Sequence, residues 1–319
     1  MTITGETSSS ESNATESNVT ELKSTRARAR VKAPEPTPFK PGSILWDTVG
    51  LHTSVLAANS AFVLQVMHPS IGTVVDQRSR FRVDPVGRAA RSFASVQTWI
   101  YGGEEAIAEG LRLREMHKPL SAVDEEGRTH HALSADPWAW VHLTGYYASV
   151  TAVRYFAPAP FTPEEEQQLF DEFMHLGRIL RVPERMLPKS IPDYWAYFAD
   201  MVENTLVPHR VAHDVLDMLE RVPPGTPTLL RPLAAAAGLT GGRLIRFITV
   251  GTLPPAARDK LGLPWTPADD RRLRAVCRTI AITTARLPER LRYMPIAYRA
   301  REAARARQRL DRALANRPL

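Results

Sequence analysis

Apolar positions along this chain recur at helical spacing, and no Val/Ile cluster alternates with hairpin signals as a strand pair would require. The segment 44–67 is mostly apolar with small residues between, which predicts a buried helix, kinked at Gly50 and closed by His68-Pro69. Asp136-Pro137 repeats the Asp-Pro helix start seen at Asp84, with Asp136 as the cap, and the run after it, to Phe156, is apolar on nearly every face and predicts a central, fully surrounded helix. Thr162, Pro163 and Glu165 form a capping-box signature for a helix ending near Leu180. Further helices are expected at about 192–206, 208–221, 227–237, 240–251 and 267–286, and from Pro288 onward with a bend at Pro295. The stretches 70–85 and 182–192 read as connectors, as does the Pro-rich segment before Thr266. Residues 124–131 (DEEGRTHH) read as a polar loop.

The stretch Gly87–His117 organises the rest. Asp84-Pro85 is a helix start, Gly102-Gly103 a turn, and Pro119 a stop. Glu104 and Glu105 sit where a helix dipole favours negative charge. These signals predict an αα-hairpin with arms of nearly equal length. Arg88 lies fourteen positions before Gly102 and His117 fourteen after Gly103, so an antiparallel return brings them level. Arg88, Arg91 and Ser92 share one helical face. Turned toward the second arm, that face would set a neutral imidazole against two guanidiniums and a hydroxyl. Such a set suits an anionic cofactor that carries a metal, with His117 as metal ligand. The alternative is a solvated Arg face and a His that interacts with the helix C-terminal dipole. One His without a second ligand in spacing leaves both open.

Composition narrows the classes. The chain has 319 residues, 44% hydrophobic, enough for a substantial core. One cysteine, Cys277, rules out an internal disulfide and any Cys-based zinc or iron–sulfur site. The formal charge of +7 is compatible with nucleic acid or anionic lipid, but the basic residues lie along helices without interleaved aromatics. A solvated face, with no nucleic-acid partner, is therefore expected. No apolar run approaches a membrane span, and the N-terminus lacks a secretory pattern. The expectation is a cytoplasmic protein with no stable membrane insertion, whose sequence specifies no oligomeric state. Residues 1–37, rich in Ser, Thr, Glu, Arg and Pro, read as a disordered tail. No Walker loop, dinucleotide fingerprint, nucleophile elbow or HExxH motif occurs. The fold class expected is all-α, a globular multi-helix bundle built around the central hairpin.

His68, at an apolar helix end, either satisfies backbone groups or points into a pocket. His142 and Thr144, polar within the central helix, either bond to core groups or line a cavity. His130-His131 is a poor chelate, since adjacent side chains diverge, and is expected to be solvated.

Several motifs recur in one order. They are His68-Pro69, Asp84 to Ser92 (DPVGRAARS), the Gly pair, Arg114 to His117, Trp140 to His142, the PKSIPDY loop, and Leu291 to Ala300. This ordered set resembles the catalytic domain shared by MpaB-type oxygenases and the rubber oxygenase called latex clearing protein, over about residues 42–305. The resemblance implies a single all-α domain, 38–319, holding b-type haem. It implies His117 as proximal iron ligand, and Arg88, Arg91 and Ser92 as the catalytic face near the haem. His68 and His142 join His117, Arg88 and Arg91 as candidate cofactor contacts. The implied activity is that of an oxygenase using O₂ to cleave or hydroxylate a small apolar or natural-product-like substrate. The alternatives are a haem protein without oxygenase turnover and a non-haem helical binding module. Three departures stand out: Arg91 where the rubber enzyme has an iron-ligating Lys, Ser92 for Thr, and Arg78 where many relatives have His. Guanidinium does not ligate iron, and no secretion signal is present, which argues against polyisoprene as the substrate.

Overall fold

Proline and a capping side chain open many of the helices, as the sequence predicts. The computed structural model describes Met1, residues 36–221 and residues 241–315. In chain order the helices are α1 (Ile44–Thr48), α2 (Ser54–Met67), α3 (Pro69–Arg78), α4 (Pro85–Tyr101) and α5 (Glu105–His117). Then come α6 (Ala135–Phe156), α7 (Pro163–Ile179), α8 (Ile191–Asp200), α9 (Arg210–Met218) and α10 (Arg243–Gly251). The last are α11 (Pro255–Lys260), α12 (Pro267–Ala285), α13 (Glu289–Arg292) and α14 (Pro295–Ala315). The fold is all-α. Among the described residues none of these helices is long and apolar enough to cross a membrane. The tail expected over 1–37 lies almost wholly outside the described residues, and the helix expected over 227–237 lies wholly outside them.

The spine of the molecule is the pair α2 and α6. Val63, Leu64, Val66 and Met67 of α2 are fully buried, as are Trp140, Leu143 and Tyr146 of α6. Burying such side chains stabilises by roughly 1.5–3 kcal/mol each. The indole of Trp140 donates to the Leu64 carbonyl at 3.1 Å, so its polar edge is satisfied inside the core. On the far side of α6, Tyr146 meets Tyr194 of α8 with ring centroids 4.5 Å apart, edge to face. The capping box at α7 is present: Thr162 accepts from the Glu165 backbone at 3.2 Å and Glu165 accepts from the Thr162 backbone at 2.8 Å.

Several expectations need correction. The helix over 44–67 is two helices, because the backbone between them bonds to distant partners. The Gly50 N–H donates to the Tyr101 hydroxyl, and its carbonyl accepts from Met294. The stretch 70–85 is not all connector. α3 fills most of it, with Pro69 in the first turn and the His68 imidazole accepting from the Ser70 N–H at 3.2 Å. Asp136 does not cap α6; it lies in the first turn and accepts from His68 Nε2 at 3.0 Å. The polar loop is the turn of a small antiparallel hairpin, β1 (Ser121–Val123) with β2 (Thr129–His131), in register Ser121 to His131. His130 is accordingly not solvated: it bonds to Asp124 and to Ser70, each at 2.8 Å. The connector before Thr266 contains α11, and the last helix is divided into α13 and α14.

Candidate functional site

The predicted hairpin forms as α4 and α5, joined through Gly102 and Gly103, the latter at φ +59°. Asp84 caps α4 by accepting from the Gly87 N–H at 2.9 Å. Against α6 and α2 the hairpin encloses a cavity of about 1280 Å³. That exceeds the roughly 300–1,000 Å³ of ordinary small-molecule pockets. Small residues make the room: Gly145, Ala148, Ser149 and Ala152 on one stripe of α6, facing Ala58 and Ala61 of α2.

His117 lines this cavity. Its Nδ1–H donates to the Leu113 carbonyl, one turn back on α5, at 2.8 Å. That bond leaves Nε2 as the unprotonated nitrogen, with no hydrogen-bond partner among the described residues. A carbonyl that fixes the tautomer in this way is the usual support of a metal-ligating imidazole. Trp138 of α6 packs against the ring, centroids 5.4 Å apart and edge on. Burial holds the His117 pKa below its ordinary value. The Leu113 bond opposes that effect, and the nearby Arg88 and Arg112 charges add to it. The neutral, ligating form is thereby favoured.

Arg88 also lines the cavity, with its guanidinium over the Phe62 ring at 4.3 Å. Burial, and then the Arg91 charge, lowers its pKa, though guanidinium stays charged. It has no carboxylate partner among the described residues. Arg91 and Ser92 border the same cavity but are exposed. Arg91 pairs with Asp84 at 3.1 Å, and Ser92 donates to the Arg88 carbonyl at 3.1 Å.

The two remaining candidate histidines part company. His68 is buried outside the cavity lining, and both its nitrogens are engaged, one by Ser70 and one by Asp136. His142 does border the cavity, packed against Phe173, with centroids 5.8 Å apart. Burial lowers its pKa to about 4, and its Nε2 has no hydrogen-bond partner among the described residues. Phe62, which carries Arg88, was not singled out from the sequence, because on α2 it reads as one more apolar position of a buried helix. Arg78 and His131 at the cavity edge were missed as a pair, because the β-hairpin that unites them has no clear strand signal.

Among the described residues no three His, Cys, Asp or Glu side chains gather as a metal site. The carboxylates that line the cavity, Glu109 and Asp214, are already bonded to Arg112 and Arg82. Of the three imidazoles that border the cavity, His131 is exposed at its edge and His142 Nε2 abuts Gly177 of α7, which leaves His117 with the guanidiniums as the donor set. A metal held by one imidazole must bring its other ligands with it, as a macrocycle does, and anionic edges of that macrocycle would suit the guanidiniums. The residues present fit a haem.

A family model described as ER-bound oxygenase mpaB/B'/Rubber oxygenase, catalytic domain, matches residues 46–282, a span that includes α4, α5 and α6. No curated protein and no solved structure matches the chain.

Proposed function

As the chain belongs to the mpaB/rubber oxygenase catalytic-domain family, we propose that it is a haem-dependent oxygenase, holding b-type haem through His117 Nε2 and using O₂ on a small apolar or natural-product-like substrate. The observation that supports this reading is the His117 tautomer: Nδ1–H is committed to Leu113, and the free nitrogen belongs to a residue that lines the large apolar cavity. Haem, when bound, supplies the oxygen chemistry, and the protein supplies orientation, electrostatics and pocket shape.

Each residue then has a physical task. Leu113 and Trp138 hold the imidazole plane. Arg88, kept in place by Phe62 and unpaired with any acid among the described residues, offers N–H donors and positive charge to an anionic group within the cavity. Arg91 and Ser92 stand one turn along the same helix face. Arg91 shares its charge with Asp84, so it is the weaker donor of the two arginines. The small residues of α2 and α6 leave an apolar volume from which water is displaced when an apolar substrate enters.

The absorption spectrum of the purified protein tests this. A Soret band is expected, together with its loss and a loss of haem content in His117→Ala. A colourless wild-type protein that takes up no added haem would overturn the reading and favour a non-haem binding module. Haem with no substrate-dependent O₂ consumption would overturn the oxygenase half alone.

A further inference from the structure

We propose that Arg78 and His131 form a carboxylate clamp at the rim of the cavity. It would receive the acidic edge of an otherwise apolar ligand. The inference rests on the haem reading above insofar as the porphyrin carboxylates are the first such edge to consider.

Three observations converge on this pair. First, both side chains are exposed and both border the cavity, which places them at its mouth. They come from different elements that the β-hairpin unites. Arg78 Nε donates to the Ser121 carbonyl at 2.7 Å, and Ser121 is the register partner of His131. The carbonyl that holds Arg78 thus belongs to the rung of the ribbon that carries His131, which ties both residues to the same end of the β-hairpin. Second, anchoring Nε pre-orients the guanidinium, whose two terminal nitrogens have no partner among the described residues. A guanidinium in that state recognises a carboxylate at reduced entropic cost.

Third, neighbouring cations at the rim are already neutralised. Arg82 pairs with Asp76 and Asp214, Arg91 with Asp84, and Arg112 with Glu109. Neither Arg78 nor His131 has an acidic partner among the described residues. The approach to the pair is apolar. Ile71, Val74 and Val75 line the cavity along α3, and Arg78 ends that same face. An apolar wall ending in a cation matches a ligand with an apolar body and a carboxylate edge. His117 is close by in the chain: Ser121 lies four positions after it, a reach of at most about 14 Å.

The carboxylate has two sources, the haem propionates or the head of a long-chain acid substrate, and esterification separates them. In one arm, haem and haem dimethyl ester are titrated into wild-type apoprotein and into Arg78→Gln/His131→Gln, followed by absorbance. In the other, the haem-loaded protein is titrated with a long-chain fatty acid and its methyl ester, followed by the spectral shift. Wild type is expected to prefer the free acid over its ester by about tenfold in at least one arm, as one charge-assisted hydrogen bond provides. The double variant is expected to lose that preference while binding the ester as wild type does. Equal binding of acid and ester by wild type in both arms would overturn the clamp, with no dependence on how the variant folds. So would a preference that the double variant retains. Failure of wild type to bind haem at all would instead strike the cofactor reading, which the His117→Ala spectrum reports separately.

Discussion

The Ser95 hydroxyl donates to a carboxylate oxygen of Glu109 at 2.6 Å, and that bond fixes the register of α4 against α5. The two residues lie seven positions on either side of Gly102. Extending the same symmetry along both helices places Arg88 across from the end of α5, where His117 stands. The Arg88 charge is accordingly felt at the His117 imidazole, lowering its pKa alongside the larger effect of burial. The site is thus a consequence of hairpin length and of one polar bond halfway along it.

Arg88 is held in place at a cost in stability. A desolvated guanidinium over Phe62, with no acid beside it among the described residues, is an expensive group in the absence of an anionic ligand. Arg88→Met keeps the length and the contact with the ring while deleting the charge. The expected outcome is an apoprotein more stable by about 2 kcal/mol, read by urea unfolding. Oxygenase activity of the haem-loaded variant is expected to fall. A variant both less stable and fully active would remove Arg88 from the site.

Tyr101 ties the turn end of the hairpin to the break between α1 and α2. Its hydroxyl donates to the Trp46 carbonyl at 2.8 Å and accepts from the Gly50 N–H at 2.9 Å. Burial raises its pKa, so it stays protonated and able to donate. Tyr101→Phe leaves a buried N–H and a buried carbonyl short of a partner, which costs about 1–3 kcal/mol. Thermal unfolding should show that loss. Amide exchange at Gly50 should rise more than exchange in α7.

The hairpin was legible in the sequence because each boundary carries a local signal: Asp84-Pro85, Gly102-Gly103 and Pro119 act within a few residues of themselves. The capping box at Thr162 is local in the same way. What was not legible depends on distant partners. The break at Gly50 is set by Tyr101 and Met294, and a Cβ at Gly50 would collide with the Ala297 Cβ. The His68 position is set by Asp136, 68 residues away. The β-hairpin has three-residue strands, too short for alternation to register as a pattern. α3 begins on an imidazole cap, a residue type that sequence rules do not count among strong caps.

α5 approaches α7 closely because Gly110 has no side chain. A Cβ there would lie 2.7 Å from the Ile179 carbonyl oxygen, a backbone atom that cannot swing aside. Gly110→Ala should therefore destabilise by about 1–3 kcal/mol, despite the better helix propensity of Ala. The displaced α5 carries His117 with it, so haem content after purification is expected to drop in step. Unchanged unfolding and unchanged haem content together would show that the two helices have slack at this point.

Acid should weaken the fold through His142. Burial lowers its pKa to about 4, partly offset by a bond to the Phe173 carbonyl, against an ordinary value of 6.5. Above pH 6.5 the imidazole is neutral in both folded and unfolded chains and contributes no pH dependence. Between 6.5 and 4 the unfolded chain binds a proton that the folded chain refuses, so stability falls with pH by up to about 1.4 kcal/mol per unit. Below about 4 both forms are protonated and the slope from this residue ends. His142→Leu removes the titrating group and the unpartnered Nε2 together. Urea unfolding at pH 7 and pH 5 should show a stability difference about 2 kcal/mol smaller in the variant than in wild type. An identical difference in both proteins would mean that the imidazole takes up its proton within the folded chain.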